Sequence, residues 1–288
     1  MKTGIFITAR LGSTRLKRKH LLPVNSNPII SYLIGRIVAE FRTEINQDRI
    51  VIIITTSGEP ENREFERFVS KGVTVFYGSK ENIPLRHLQA AKANLLDAIV
   101  SVDGDDMLCS VKGMREVFTA LTHGATYVKT SNLPFGMNSF GYQRTFLEAS
   151  LKEHLCDTLE TGWGRIFDET ELKDIQILSP VQDNSLRFTL DYEEDYRFFS
   201  AVIESFGTNI FSASDEDIVK VVLDQKLYLL NESISSEYWK NFYRVQEEER
   251  EKSLLTRNTV RHDNCPYLNW ESSQAVFASK GFNNHLLR

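Results

Sequence analysis

Short, wholly apolar runs alternate with longer amphipathic stretches along most of this chain, beginning with GIFITA at residues 4–9. That run is too short for a helix and lacks polar alternation, so it predicts a strand buried on both faces. NPIISYLIGRIVAEF follows, with Ile30, Leu33, Ile34, Ile37, Val38 and Phe41 on one helical face. Asn27 as N-cap and Pro28 at the first helical position would start it. RIVIIITT (49–56) is the next buried strand, then a polar helix from about Pro60, VTVFYG as a strand, and a helix from about Ile83 to Leu95. DAIVSVDGDD ends a further strand on acidic residues. Such strand–helix alternation predicts an α/β fold with a mostly parallel central sheet, helices on both faces and right-handed crossovers. Ligands of such sheets bind beyond the carboxyl ends of the strands.

The pattern then loosens. TSNLPFGMNSFGYQRTFLEASL carries turn signals before a helix, and ETGWGRIF is a Gly-rich break. SLRFTLDYEEDYRFFSAVIESFG reads as a strand, an acidic turn and a helix, and SDEDIVKVVLDQ as a helix capped by Ser214. Past about residue 231 the character changes: EYWKNFYRVQEEEREKSLL is a charged amphipathic helix, and the last thirty or so residues are polar with scattered aromatics.

Composition narrows the class. The 288 residues are 41% hydrophobic and 25% charged, as in an ordinary globular protein. A net charge of −5 excludes a general nucleic-acid binder, which needs broad basic surfaces. Cys109, Cys156 and Cys265 lie far apart with no zinc-like spacing, which predicts a reduced chain without a disulfide frame. The apolar run in MKTGIFITAR is too short for a signal peptide or a membrane span, so a cytoplasmic protein with no membrane partner is expected.

Against that acidic background, Arg10 to His20 holds five Lys or Arg residues and no carboxylate; without them the balance is 29 basic to 39 acidic. In ITARLGSTRLKRKHLLP, Gly12, Ser13 and Thr14 offer close backbone approach, N–H donors and hydroxyls. Arg10, Arg15 and Lys19 add charge, which together predicts a phosphate cradle, although the Walker A spacing is absent. The alternative is a solvated βα loop. Next, SVDGDDMLCS gathers Asp103, Asp105 and Asp106 at a strand end, where hard carboxylate oxygens suit Mg²⁺. Three acids in four residues repel one another unless a cation or donors sit among them. Asp191, after an apolar run in RFTLDYEEDY, is a second carboxylate from a separate strand end. Glu193, Glu194 and Asp195 read as charges at a helix N-terminus. The six histidines show no ligand spacing and read as surface or packing residues.

ITARLGSTRLKRKHL resembles the signature loop of the sugar cytidylyltransferases, the group of the CMP-Kdo and CMP-sialic acid synthetases. It is most similar to their spore-coat-polysaccharide-type members, whose loop reads A-R-x-G-S-T-R-L-x-x-K. The resemblance implies a Rossmann-like nucleotidyltransferase (nucleotide-diphospho-sugar transferase) fold over residues 1–231, with 232–288 a helical extension of unknown role. It implies nucleotide contacts from Ala9, Arg10, Leu11, Gly12, Ser13, Thr14, Arg15 and Lys19. VIIITTS adds Thr56 and Ser57, YGSKENIPLRHLQAA adds Arg86, and DGDDML adds Asp103. Mg²⁺ falls to Asp105, by likeness to G-D-x-P-L, and to Asp191, by likeness to L-R-x-T-V-D-x-x-E-D-L.

The implied reaction is transfer of CMP from CTP to a sugar acid, or a sugar or polyol phosphate, with release of pyrophosphate, in surface-glycan precursor synthesis. Arg10, Arg15, Lys19 and Asp105 would carry catalysis, in a homodimer. The chain departs from the family pattern at Met107, where relatives have Pro. It departs again in LPFGMNSFGY, with Asn138 and Phe140 at acidic places, and in ETGWGRIF, where relatives read E-H-V-T. Two other readings are a metal-dependent glycosyltransferase consuming a nucleotide sugar and a non-catalytic nucleotide-binding relative.

Overall fold

A computed structural model describes residues 1–177 and 186–259. After β1 (Thr3–Thr8) and the basic loop, β2 (Pro23–Val24) and β3 (Asn27–Pro28) make a small antiparallel hairpin. Its turn residues Asn25 and Ser26 have φ of 46° and 65°. This corrects the expected start of the first helix. A two-residue turn with both φ positive claims Asn25–Ser26, so Asn27 and Pro28 pair in the hairpin and α1 runs from Ile30 to Glu40. Short α2 (Arg42–Asn46) and β4 (Ile50–Ser57) follow. Residues Pro60–Phe68, expected as a polar α-helix, form 3₁₀ turns.

The next elements are β5 (Val73–Gly78), α3 (Ile83–Ala93) and β6 (Ala98–Asp103), close to the predicted bounds, and then α4 (Val111–Thr122), for which the sequence reading gave no expectation. Both helices are capped as their sequences suggest: the Asn82 side chain accepts from Leu85 N–H, and that of Ser110 from Gly113 N–H. Then come β7 (Tyr127–Ser131), β8 (Phe140–Gln143), α5 (Arg144–Leu151), β9 (Leu172–Gln176), α6 (Glu193–Phe206) and α7 (Asp215–Asp224). Ser214 caps α7 in a capping box with Asp217. A long helix, α8 (Ser235–Thr259), ends the described chain; the polar tail beyond it lies outside the described residues.

The strands form one seven-stranded sheet in the order β5-β4-β1-β6-β8-β7-β9. All neighbours are parallel except β8, which runs against β6 and β7. Period-two alternation sends Ile5, Ile7, Ile52, Ile54 and Val100 to the face covered by α1 and α4. Phe6, Ile53 and Ile99 go to the face covered by α3 and α5. The predicted architecture of a mostly parallel sheet between two helical layers is the one observed. A third apolar cluster joins α6 and α7 to Ile29, Tyr32 and Met107.

RFTL was expected as a strand. Instead Arg187 makes only an isolated bridge to Phe135. The N–H groups of Phe188 and Leu190 donate to Phe135 O and Asp105 O, which belong to irregular segments rather than to a sheet edge. Cys109 is free and buried, but Cys156 is disulfide-bonded, which corrects the expectation of no disulfide; sequence spacing carries no sign of spatial pairing. Among the described residues no helix is long and apolar enough to cross a membrane.

Candidate active site

Parallel pairing brings the carboxyl ends of β4, β1 and β6 side by side, and the chain segments leaving β1 and β6 frame a cleft of about 660 Å³. Ala9, Arg10, Gly12, Ser13, Thr14, Arg15 and Lys19 line it from the β1 loop. Arg86 enters from α3, Asp103 and Asp105 from the end of β6, and Asp191 from the extended segment before α6. Residues drawn from across nearly two hundred positions of sequence thus share one cavity.

Three of the expected residues do not line the cleft. Leu11 packs its side chain into the core, and Thr56 and Ser57 are buried at the end of β4. Leu11 and Ser57 are joined through Asn62. The Asn62 Oδ1 accepts from Leu11 N–H at 2.9 Å, and its Nδ2 donates to Ser57 O at 3.0 Å. This buried amide clamps the β1 loop to β4, and a lone Asn in a polar stretch gave no warning of it. On the other side, Gly104 N–H donates to Thr8 O at 2.8 Å. A Cβ at Gly104 would come within 2.8 Å of that same oxygen. The glycine therefore lets the acidic turn close against the basic loop.

At the cleft floor, the Lys19 ammonium lies 2.7 Å from Asp105 Oδ2 and 3.0 Å from Asp191 Oδ1. The Arg15 guanidinium also donates to Asp191 Oδ1, at 2.5 Å. His20 Nε2 lies 2.9 Å from Asp105 Oδ1, so His20 belongs to the site despite showing no ligand spacing in sequence. Burial pushes the Lys19 amine down, but Asp105 and then Asp191 outweigh it and hold its pKa above the ordinary value. Burial likewise pushes Asp105 up, and Lys19 followed by His20 brings it below the usual carboxylate range. Asp103 is exposed to the cleft at the end of β6; the protein atoms crowded around it, with Asp105 next, push it up to about 7. Asp106 is pushed up by burial and then by Asp103.

The loop cations were expected to lack carboxylate partners. Four of the five have them, from distant parts of the chain. Arg10 pairs with Glu160 at 2.7 Å, Arg18 with Glu64, Arg15 with Asp191 and Lys19 with both floor carboxylates. Arg86 differs. It is buried, donates to the backbone oxygens of Ser79 and Lys80 at 2.7 and 3.0 Å, and is held at about 10 by desolvation. Both its bonds are to neutral backbone acceptors, and the carboxylates of Glu160 and Glu59 act on it only through longer-range attraction.

Asp105 and Asp191 converge on one cation position, now served by the Lys19 ammonium. Two hard carboxylates facing a common point suit a Mg²⁺ that completes its shell with water and phosphate oxygens. Among the described residues no group of three or more His, Cys, Asp or Glu forms a cage for a metal held by protein alone.

The aromatic part of the cleft lining has a different character. Tyr127, Phe135, Phe140 and Trp163 line it, with Lys129 and the backbone of Gly162 and Gly164. Tyr238, Asn241, Phe242 and Val245 of α8 complete this wall. Sequence reading gave α8 no part in the cleft, and marked Phe140 only as a departure from the family pattern.

Comparison with known proteins agrees with the fold and the family resemblance. The cytidylyltransferase family pattern matches residues 5–154, more than half of the chain. An uncharacterized protein of Methanocaldococcus jannaschii is 28% identical over 72% of this chain and 85% of its own. The spore coat polysaccharide biosynthesis protein SpsF of Bacillus subtilis is 26% identical over 70% of this chain and 86% of its own. Among solved structures, a cytidylyltransferase of Leptospira borgpetersenii superposes with a TM-score of 0.65 at 24% identity, covering 80% of this chain and 98% of that one; at that identity the likeness speaks for the fold. With a family pattern that spans the basic loop, Arg86 and the acidic turn, this chain belongs to the cytidylyltransferase family.

Proposed function

We propose that the cleft binds CTP and transfers its CMP group to the hydroxyl of a small sugar acid or sugar or polyol phosphate, releasing pyrophosphate, as a step in surface-glycan precursor synthesis. The observation that carries this reading is the floor of the cleft. There a buried ammonium and a guanidinium meet two carboxylates, in the cleft that the small residues of the β1 loop and Arg86 also line.

In this reading the backbone of Gly12, Ser13 and Thr14 approaches the triphosphate while Arg10 and Arg86 compensate its charge. The acceptor oxygen forms a bond to the α-phosphorus as the α–β bridging bond breaks. Pyrophosphate leaves with that electron pair, and the acceptor's hydroxyl proton passes to water. Lys19 and Arg15 follow the charge that grows on the leaving group, an arrangement worth about 3–4 kcal/mol per well-placed group. Asp105 and Asp191 would hold Mg²⁺. When bound, the ion neutralises phosphate charge and orients the reacting oxygens. Lys19 then exchanges its carboxylate partners for the leaving phosphates.

The test is pyrophosphate release from each of the four nucleoside triphosphates against a panel of sugar acids, sugar phosphates and polyol phosphates, with Mg²⁺. Release with CTP and at least one acceptor is expected. Consumption of a nucleotide sugar with no pyrophosphate release from any triphosphate would overturn the reading.

A further inference from the structure

The short motifs expected from the family resemblance are altered in LPFGMNSFGY and in ETGWGRIF, and the extension after residue 231 has no counterpart among them. In the structure these three meet at one place. Phe135, from the first segment, packs its ring against Tyr238 and Trp239 of α8, with centroids 5.5 and 5.0 Å apart. Phe140 packs on Trp163, from the second segment, at 5.2 Å. Gly162, beside that tryptophan, lies under α8: a Cβ there would come within 2.3 Å of Gln246 Nε2 and 3.2 Å of the Phe242 ring.

The helix is tied down along its length. Its more buried positions, Tyr238, Asn241, Phe242, Val245, Glu249 and Ser253, recur at three and four residues and make one face. Asn241 donates to the Tyr192 hydroxyl at 2.9 Å, and the Tyr192 ring lies under the Arg15 guanidinium at 5.4 Å. Tyr238 stacks beneath the Arg187 guanidinium at 4.1 Å, and Arg187 pairs with Asp191 and Asp195. Further along, Glu249 accepts from Thr161 N–H at 2.9 Å, and Ser253 from Thr158 N–H at 3.0 Å. One helix therefore spans the cleft from the carboxylate floor to the 158–162 segment.

We propose that α8 is the acceptor wall of the cleft, supplied by the same chain, and that Asn241, Phe242 and Val245 determine which acceptor is admitted. This rests on the cytidylyl-transfer reading above. The chemistry of the wall points to an acceptor with an apolar ring face and one carboxylate. Aromatic side chains bury flat C–H surface. The β7 end of this lining contributes a single cation, Lys129, without the arginine fork that phosphate recognition favours. A compact sugar acid meets both requirements better than a sugar phosphate.

The experiment uses the full chain and two variants of opposite effect. Phe242→Ala removes bulk from the wall, and Val245→Phe adds it. CTP affinity is read by calorimetry, and acceptor KM and kcat by pyrophosphate release across ring-form sugar acids of graded size and their phosphate counterparts. The proposal expects CTP affinity within about twofold of wild type in both variants. It also expects acceptor KM to rise at least tenfold in Phe242→Ala and the preferred acid to become smaller in Val245→Phe. Equal acceptor KM and an unchanged rank order in both variants would overturn it, as would parallel loss of CTP affinity, which would mark α8 as a structural support only. A wild-type chain that does not bind CTP would overturn the transfer reading itself, and with it the assignment of this wall to an acceptor.

Discussion

The two ends of the cleft are built in opposite ways. The nucleotide end comes chiefly from the loop after β1 and the turn after β6, carried on strands that pair in register from Thr3–Ala98 to Thr8–Asp103. Its polar groups answer one another at hydrogen-bond distance. In the aromatic part, the rings of Phe135, Phe140, Trp163 and Phe242 come from three separate segments, joined by packing and by the docking of α8. One end holds a fixed chemistry on rigid strand ends. On the proposed function, the other would change its occupant through substitutions that leave the sheet untouched, which assigns reactivity and selectivity to different parts of the chain.

That contrast is sharpest for variants confined to one end. Asp105→Asn, at the floor, removes a charge that Lys19 and His20 both face. Turnover should fall by about 10³-fold or more, with the thermal midpoint little changed because Asp191 still pairs with Lys19. Steady-state pyrophosphate release and a melting curve read both. Next in size, Arg86→Ala should weaken CTP binding about 10- to 100-fold, the worth of a charge-assisted contact. Arg86→Lys should recover only part of this, because the ammonium lacks the fork that reaches Ser79 O and Lys80 O together; calorimetry of CTP binding separates the two.

At the opposite end the effects should be smaller and should spare CTP. Gly162 has φ +58°, so Gly162→Ala adds a left-handed penalty of about 1–2 kcal/mol and a clash with Gln246. Amide exchange in α8 should speed up while CTP affinity stays unchanged. Smallest of all, Glu249→Gln keeps one acceptor oxygen for the Thr161 N–H. It should cost about 0.5–1.5 kcal/mol in urea unfolding. A loss of CTP affinity in either variant would break the division between the two ends.

Much of the nucleotide end was legible in the sequence because its evidence is local. Apolar runs marked β1, β4 and β6, and unusual charge marked the segments after β1 and β6. The loop's resemblance then named a chemistry. What local reading missed depends on distance in the chain. Arg10, Arg15 and Arg18 looked unpartnered because Glu160, Asp191 and Glu64 lie 150, 176 and 46 residues away. Asn62 and His20 carry no pattern of their own; only the fold sets one against Leu11 N–H and the other against Asp105. The α8 wall was hidden for the same reason. Its amphipathic spacing predicted a helix, but nothing in EYWKNFYRVQEEE says that the apolar face meets Gly162 and Phe135. RFTL failed differently: its buried side chains look like those of a strand, while its backbone partners are loop carbonyls.

The most direct test of the central claim is calorimetric binding of CTP, UTP, ATP and GTP to the full chain, each with and without Mg²⁺. The account predicts selective binding of CTP that strengthens with Mg²⁺ and is weakened about 10- to 100-fold in Arg86→Ala. Equal affinity for all four, or binding of a nucleotide sugar with no triphosphate bound, would contradict it.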